Sequence, residues 1–535
     1  MERNTFYCKD GKMAFFVPFT FSKENSFWNK WFNEEDLKNE DLKSEDEEKR
    51  REASEKSKEA YRNGKTQIIT RLKSIDENLF KDAQVCFGKC HCNRGVNYDG
   101  AKNLCSCMSI NNKFHDDASQ TALRTEMYLG SHTAVYEYTN NGITVSFSFD
   151  LNLYLSINKD DNVCFLILRT GLDSFKNNGI FKVNEENDDY ISDAIIFWKH
   201  IFYKDRLKVN IDGGGSVSLR RWTTEYLKKM HAALEIETAP NFDEKEGIYF
   251  SYSIIELDNV KDSKDGKIIS LKDIDCFLHN YSHHLYGLLV SDEGWKYVPD
   301  KYIADKFKER YHSSRDHTYS FFIGHNALVI NQLNAEDCDE YRKFGADWFA
   351  KYNQDGRGVV YSQYFNMTPC IPGLENHLLQ IFMKSIYKNI MLERVMNNNE
   401  KESSIKQLES RIEKLTAVLE SHSVLLGETQ NIKDCIHKEF GLNDKLRKIK
   451  ENYIHKTNSL NTKNDKEQNG KIGRLTYFTV VLALLSLVFS FIYPIPSIES
   501  KFVTYAFAGV FFCVFLVLCC KMVVEQRKLK LTKDK

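Results

Sequence analysis

Residues 475–493, LTYFTVVLALLSLVFSFIY, form an apolar run without a charged side chain. As an α-helix this run is about 28 Å long, close to the hydrocarbon thickness of a bilayer. Pro494 and Pro496 follow it, and proline ends a helix because it lacks the backbone N–H. A second apolar run, FVTYAFAGVFFCVFLVLCC, begins at Phe502. The sequence therefore predicts a two-helix transmembrane hairpin, with the second helix over 502–524.

Basic side chains flank the inner ends of both predicted crossings. Lys471 and Arg474 precede the first, and the tail 525–535 is rich in lysine and arginine. The positive-inside rule then places both termini in the cytoplasm and the short loop 494–501 outside. The N-terminal residues show no basic region followed by an apolar one, so we expect no signal peptide. These features predict a multi-pass protein of the cell membrane with a cytosolic soluble part.

One face of the first predicted crossing carries small and polar side chains at alternating spacings of three and four. They are Thr476, Thr479, Ala483, Ser486, Ser490 and Tyr493. Such a face either packs closely against a neighbouring helix or lines an aqueous path. Two crossings cannot enclose a pore, so a pore wall requires several copies of the chain.

A helical stalk is predicted over 396–474, upstream of the apolar runs. Its apolar residues recur with the 3-4 spacing of a coiled coil. They are Ile405, Leu408, Ile412, Leu415, Leu419 and Leu426, followed by Leu442, Leu446, Ile449 and Tyr453. The last part, from Lys456 to Arg474, is polar on all sides and must be solvated.

Residues 1–395 mix strand and helix patterns, which indicates an α+β or α/β domain, and we predict α+β. Alternating runs around 133–157, 247–257 and 319–330 predict strands, and the first contains an Asn-Gly turn. Helical patterns lie at 193–202 and 223–234. Lys+Arg 74 against Asp+Glu 75 gives a net charge of -1, which offers no argument for a nucleic-acid partner.

A cysteine cluster lies early in this domain, in the stretch CFGKCHCNRGVNYDGAKNLCSC. Cys90, Cys92, Cys105 and Cys107 could supply four thiolates to a tetrahedral structural zinc. Their C-x-C spacing differs from the usual C-x-x-C, so reduced thiols without a metal are the alternative.

A second cluster, DGGGSVSLRRW, begins at Asp212 and combines a glycine run with two arginines and a tryptophan. This combination suits a phosphate beside a stacked base, although a hairpin turn with exposed arginines explains it equally well. The candidate ligand-binding residues are Gly213, Gly214, Ser216, Arg220, Arg221 and Trp222. Nucleotide-hydrolase, serine-hydrolase, metalloprotease and kinase motifs do not occur, and nothing in the sequence favours an enzyme.

The segment NGKIGRLTYFTVVLALLSLVFSFIY, starting at Asn469, resembles the junction of stalk and pore helix in the CorA family of divalent-cation channels. The resemblance rests on Asn469, Leu475 and Thr476, and on the order of pore helix, short loop, second helix and basic tail. CorA transporters carry Gly-Met-Asn after the tyrosine at the pore mouth, whereas here Pro494 follows Tyr493. The amide that usually holds hydrated magnesium is therefore missing.

Without that filter, and with an enlarged cytosolic domain, the chain resembles the CRISPR-associated CorA proteins of type III-B systems. The resemblance implies a bacterial antiviral effector in the cell membrane, a homo-oligomer of about five subunits. A nucleotide second messenger, S-adenosylmethionine joined to AMP, would bind the cytosolic domain and cause ion leakage.

Two alternatives to the effector stay open. The first is a divalent metal-ion transporter with an altered filter, in which Glu499 of the outer loop forms an acidic ring that gathers cations. Glu499 could equally serve only to solubilise that loop. The second is a non-conducting anchor that tethers a binding protein to the membrane.

Overall fold

The computed structural model describes residues 4–8, 10–20, 31, 47–83, 124–158, 163–172, 175–177, 182–184, 187–234, 242–243, 247–248, 250–271, 273–308, 311–315, 318–332, 374–398, 409, 412–413, 416, 427–492 and 509–510. The chain divides into two compact units, Met1–Ile449 and Lys450–Lys535. The first unit is α+β, as the sequence predicts.

The described residues of the first unit form three sheets, and the largest has eleven strands. Its strands are β2 (Asp10–Thr20), β3 (Arg124–Asn140), β4 (Ile143–Asn158), β5 (Val163–Gly171), β6 (Lys176–Asn177), β9 (Lys208–Ile211), β10 (Ser216–Ser218), β13 (Tyr252–Asp258), β15 (Tyr311–Arg315), β16 (Thr318–Ile323) and β17 (Asn326–Asn331). Their order is β10-β9-β3-β4-β5-β2-β13-β17-β16-β15, and β6 pairs with β4. Strands β13 and β17 are parallel, and the other described pairs in this sheet are antiparallel.

The two smaller sheets are built from short strands. These are β1 (Phe6–Cys8), β7 (Lys182–Asn184), β8 (Asn187–Ile191) and β14 (Lys261–Asp262), in the order β14-β1-β8-β7, and the pair β11 (Phe242–Asp243) with β12 (Gly247–Ile248).

The β3–β4 hairpin confirms the turn predicted from the Asn-Gly pair. Asn140 pairs with Ile143, so Asn141 and Gly142 form a two-residue loop. Both have positive φ, 50° and 80°, the conformation that a tight hairpin requires and that Asn-Gly readily adopts.

Strand β3 also contains a bulge that changes which residues face the core. Tyr128 pairs with Tyr154 but Gly130 with Leu153, so one residue is inserted. Before the bulge the odd-numbered Met127 is buried, and after it the even-numbered His132 is buried. Because side chains alternate across a strand, the insertion sets the side of the sheet to which His132 belongs.

Eight helices are described in detail. They are α1 (Glu47–Ile75), α2 (Ser192–Tyr203), α3 (Leu219–Leu234), α4 (Ile274–Leu289), α5 (Asp300–Phe307), α6 (Leu374–Asn398), α7 (Gly427–Glu439) and α8 (Leu442–Ile492), with a 3-10 turn at Glu293–Tyr297. Helices α2 and α3 confirm the two helical patterns predicted near 193 and 223.

The core between α2 and the large sheet is aromatic. Trp198 is fully buried, with its ring centroid 4.8 Å from that of Phe175 and 5.6 Å from that of Phe149. Phe202, one turn later on α2, stacks on Phe15 of β2 with a centroid distance of 3.9 Å. Burial of several such rings fixes α2 on the sheet, since each ring removes a large apolar area from water.

The predicted transmembrane hairpin is wrong as a description of this structure. Within the residues that the structure describes, no helix is both long enough and apolar enough to cross a membrane. Residues 475–492 instead continue the single 51-residue helix α8, which is rich in charged side chains before Leu475. Of the predicted second crossing, 502–524, only 509–510 are described, and the outer loop 494–501 lies outside the described residues.

The region predicted as one stalk contains two described helices. Helix α7 ends at Glu439, and Gly441, with φ 62°, separates it from α8. A positive φ is accessible to glycine at low cost, and it commonly ends a helix. Most of the predicted heptad seam before residue 427 lies outside the described residues.

Candidate functional site

The predicted ligand-binding stretch forms the turn between β9 and β10 and the first turn of α3. Asp212, Gly213 and Gly215 all have positive φ, 51°, 78° and 100°. The Gly214 N–H donates to the Ile211 carbonyl at 2.8 Å, which closes the turn. A Cβ placed on Gly213 or Gly215 would meet no atom within 4 Å, so the outer side of this turn is open.

Asp212 fastens the turn to strand β3. Its Oδ1 accepts from the Thr133 N–H at 2.9 Å, and its Oδ2 lies 2.6 Å from Nδ1 of His132. The Asp212 N–H donates in turn to the Thr133 carbonyl at 3.0 Å. Because an ionised carboxylate only accepts hydrogen bonds, Nδ1 of His132 carries the proton in this pair. In the neutral form of the ring, the other nitrogen, Nε2, presents a lone pair.

His132 lies in an aromatic group with two residues of α3. Its ring centroid is 5.1 Å from that of Trp222 and 5.9 Å from that of Tyr226, and these two are 5.3 Å apart. We call His132, Asp212, Trp222 and Tyr226 the His132 group. His132 and Tyr226 are 3% and 2% exposed, whereas Trp222 is half-buried.

Two buried polar atoms of the His132 group have no hydrogen-bond partner among the described residues. They are Nε2 of His132 and the hydroxyl oxygen of Tyr226. Burial, with a smaller effect of Tyr128, raises the pKa of Tyr226 well above its ordinary value, so its O–H stays protonated and can donate. Since buried polar atoms are nearly always paired, these two mark a place where a ligand could complete the pairing. Together they offer one acceptor and one donor, on rings whose centroids are 5.9 Å apart.

The predicted arginines have different roles. Arg220 donates through Nη1 to Asp205 at 3.2 Å. The Ser218 hydroxyl donates to the same carboxylate, and it accepts from the Arg221 N–H at 3.2 Å. This arrangement fixes the start of α3. The Arg221 side chain is exposed, as is Ser216 on β10. Arg220 is therefore engaged within the fold, and Arg221 is the cation that remains accessible beside the glycine turn.

A second group of titratable residues lies where α2, α4 and the 3-10 turn meet, and we call Asp193, His284 and Lys296 the Asp193 cluster. His284 Nε2 lies 3.1 Å from Asp193, and Lys296 forms an ion pair with the same carboxylate. Burial raises the pKa of Asp193, but the hydrogen bonds from His284 and Lys296 outweigh it and bring the pKa to about 2. This cluster joins three elements through the Asp193 carboxylate, and the second ring nitrogen of His284, Nδ1, is buried without a hydrogen-bond partner among the described residues.

Lys199 is fully buried and also has a structural explanation. Its Nζ donates to the carbonyls of Leu288 and Val290 at 2.5 and 2.8 Å. These carbonyls lie at the C-terminal end of α4, where a helix lacks internal donors. Burial lowers the pKa of Lys199 well below its ordinary value. The side chain therefore caps α4.

The predicted pore-lining residues are only partly described. Thr476, Thr479 and Ala483 are exposed on α8, and the two threonine hydroxyls donate to carbonyls one turn earlier at 2.9 Å. Ser486 and Ser490 lie on α8. Tyr493 and Glu499 lie outside the described residues.

The predicted zinc ligands Cys90, Cys92, Cys105 and Cys107 also lie outside the described residues. The cysteines that the structure does describe, Cys8, Cys164, Cys276 and Cys435, are free thiols. Among the described residues, no group of three or more histidine, cysteine or acidic side chains could hold a metal ion.

Comparison with protein-family models, with curated proteins and with solved structures gives no match to this chain. The candidate site is therefore defined by its own geometry. Sequence reasoning found the glycine turn and Trp222 but missed His132, whose strand carries no local motif. Asp212, which directly precedes the glycine run, was the available signal.

Proposed function

We propose that this chain is a receptor for an adenine nucleotide and acts as an effector when that ligand binds. The observation that carries the proposal is the buried, unpaired Nε2 of His132, oriented by Asp212 at 2.6 Å and next to the rings of Trp222 and Tyr226. An oriented acceptor, a donor and an aromatic surface are the elements that recognise a nucleobase.

Adenine fits this set of groups in its hydrogen-bonding pattern. Its N6 amino group is a donor and the neighbouring N7 is an acceptor. The amino group would donate to Nε2 of His132, and the Tyr226 hydroxyl would donate to N7. Guanine presents two acceptors on the same edge, so it would leave the His132 lone pair without a donor. Trp222, the half-buried ring of the group, would stack on the base.

The glycine turn provides the complementary place for phosphate. Gly213 and Gly215 expose backbone to open space, and the exposed Arg221 follows shortly after them on α3. The Gly214 N–H donates to the Ile211 carbonyl and the Gly215 N–H to Oδ1 of Asn210 at 3.4 Å, so an anion here would be held by the Gly213 N–H and by the fixed positive charge of the Arg221 guanidinium. The S-adenosylmethionine–AMP conjugate contains both an adenine and a phosphate, which matches this division of the site.

A hydrogen-bonded chain connects the same sheet to the start of α8. Strand β3, which carries His132, lies four strands from β13, about 19 Å at the usual strand spacing. On β13, the Tyr252 hydroxyl accepts from Asn389 of α6 at 2.8 Å, and Lys445 of α8 donates to Asn389 at 2.5 Å and to Glu393 at 2.8 Å. For the ligand to act through these hydrogen bonds, the protein must have two arrangements of them, and the ligand must bind one arrangement more tightly than the other. Equal affinity would not shift the equilibrium between the two.

The output that we propose is ion leakage across a bilayer by a homo-oligomer. Its support is the CorA-like junction around Asn469, Leu475 and Thr476 in the sequence. The same resemblance supports a place in type III CRISPR defence, in which the messenger appears only after foreign RNA is detected.

Two assays test the receptor and the output separately. Calorimetry with AMP, GMP and the S-adenosylmethionine–AMP conjugate should give binding of the adenine ligands only. Trp222→Leu should weaken that binding by about tenfold or more, since stacking of a base on an aromatic ring contributes about 1–3 kcal/mol. Tyr297→Leu, a change at a ring that is 88% exposed, is the matched control and should bind normally.

Liposomes that contain the protein should leak ions only when the conjugate is added. Constitutive divalent-selective flux would favour a transporter, and ligand binding without any flux would favour a non-conducting anchor. Equal binding of AMP and GMP, or unchanged binding by Trp222→Leu, would refute the receptor.

A further inference from the structure

A compact group of basic side chains lies between α6 and α7. Each helix contributes two of them, one turn apart, and residues four apart lie on the same helix face. They are Lys384 and Lys388 on α6, and Lys433 and His437 on α7. The two helices pack against each other, and α7 also contacts β15 and β16. These strands lie at the opposite end of the sheet from β9 and β10.

Three members of this group are more than nine-tenths buried. Lys388, Lys433 and His437 are 8%, 7% and 8% exposed. None of the three forms a hydrogen bond or an ion pair with a described residue. Lys445 gives a contrast, because it pairs with Glu393, on the same helix as Lys388. Within the described part of the chain, Lys388, Lys433 and His437 therefore lack the carboxylate that usually accompanies buried cations.

The electrostatic effects on these groups come from one another. Burial, then Lys433 and Lys384, lower the pKa of Lys388 to about 7. Burial, then Lys388 and Lys433, lower the pKa of His437 to about 3. The described groups that influence these two residues are cations in every case. Each charge therefore makes its neighbour harder to ionise, which is the reverse of a structural ion pair.

We propose that the contact between α6 and α7 is a binding site for a phosphoryl group. An anion placed between the two helices would favour the charged forms of Lys388, Lys433 and His437 together. A phosphoryl group has three or more acceptor oxygens and about two negative charges, so it can accept from three separate N–H donors. A carboxylate has only two oxygens, and a divalent metal cation is excluded by the charge of the site.

This site is separate from the His132 group and does not depend on the proposed function. Its position is close to the beginning of α8, because Asn389 and Glu393, which bind Lys445, follow Lys388 on α6. A phosphoryl group bound here would fix α7 against α6. Because α7 directly precedes α8 in the chain, the beginning of α8 would also be held in place.

Binding to the full-length protein can be measured with inorganic phosphate, pyrophosphate and chloride at equal ionic strength. Isothermal calorimetry and thermal unfolding should both detect phosphate and pyrophosphate, with a rise in melting temperature that chloride does not give. Vesicles that contain phosphatidic acid, compared with phosphatidylcholine vesicles, test whether the same group is recognised on a lipid.

Lys388→Met removes one buried charge and keeps the length of the side chain. We expect it to weaken phosphate binding by about tenfold or more, while the protein without phosphate stays as stable as wild type or becomes more stable. His437→Gln should weaken phosphate binding in the same direction. Lys301→Met, at an exposed position on α5, is the control and should bind phosphate normally. Phosphate that binds no better than chloride, or equally well to wild type and Lys388→Met, would overturn the site.

Discussion

Asp212→Asn should exchange the base preference of the His132 group. In the wild-type protein Asp212 accepts from the Thr133 N–H at 2.9 Å and from His132 Nδ1 at 2.6 Å. An asparagine amide has one carbonyl oxygen, which the Thr133 N–H requires, so its NH₂ group must face His132. The histidine Nδ1 then becomes an acceptor, and the ring proton moves to Nε2. Nε2, which would accept from the adenine amino group in the wild type, becomes a donor.

The size of the effect follows from this reversal. AMP would place its amino donor against the new N–H donor and lose one hydrogen bond at a buried site, about 1–3 kcal/mol. This corresponds to a loss of about 5- to 150-fold in affinity. IMP carries an acceptor oxygen in place of the amino group, so its affinity should rise as that of AMP falls. The Tyr226 hydroxyl still donates to N7 in both nucleotides.

Two measurements check the exchange. Nitrogen-15 NMR of the histidine ring should show the proton on Nδ1 in the wild type and on Nε2 in the variant. Calorimetric titration with AMP and IMP should show opposite changes. Asp205→Asn is the matched control, because Asp205 contacts Ser218 and Arg220 rather than His132. An unchanged tautomer, or equal losses for AMP and IMP, would refute this reasoning.

Two further predictions concern stability. In Gly287→Ala the new Cβ would lie 2.8 Å from Cδ2 of the buried Trp295. This overpacking should cost about 1–3 kcal/mol, more than the gain of about 1 kcal/mol in helix propensity. The melting temperature should therefore fall. Gly473→Ala, with no atom within 4 Å, should show no such loss. Asp193→Asn should remove about 2 kcal/mol at pH 7, because the pKa of Asp193 is lowered from 3.8 to about 2. That stability is present above about pH 4 and disappears as pH falls through about 2. The free energies of unfolding of variant and wild type, measured by urea titration, should therefore converge in acid. A difference that stays constant with pH would contradict this assignment.

Local patterns in the sequence predicted much of the α+β unit. The Asn141–Gly142 turn identified the β3–β4 hairpin, and helical periodicity identified α2 and α3. These elements depend on neighbours in the chain, so a local pattern is sufficient. The transmembrane hairpin was predicted from hydropathy in the same way. In the described structure that segment continues the charged helix α8, a context that a window over residues 475–493 does not include.

The sites depend on contacts between distant residues. His132 and Asp212 are 80 positions apart, and they meet only because β3 pairs with β9. No pattern in the sequence indicated the basic group that contains Lys388 and Lys433. Lysines four residues apart or near a helix end are typical of exposed faces, and only the packing of α6 on α7 makes them buried. Sequence reasoning therefore found the turn but not His132, which Asp212 of that turn orients.

The bulge in β3 makes the proposed nucleotide site sensitive to strand pairing as well as to side-chain chemistry. If the same residues paired with regular alternation, without the insertion at Leu129, His132 would turn away from the core and its neighbours Ser131 and Thr133 would turn toward it. His132 would lose its contacts with Asp212 and Trp222, although none of these three side chains had been replaced. Among homologous chains with a functional site, the present spacing between Tyr128 and His132 should therefore occur together with the bulge, and a spacing one residue shorter should occur with a regular strand.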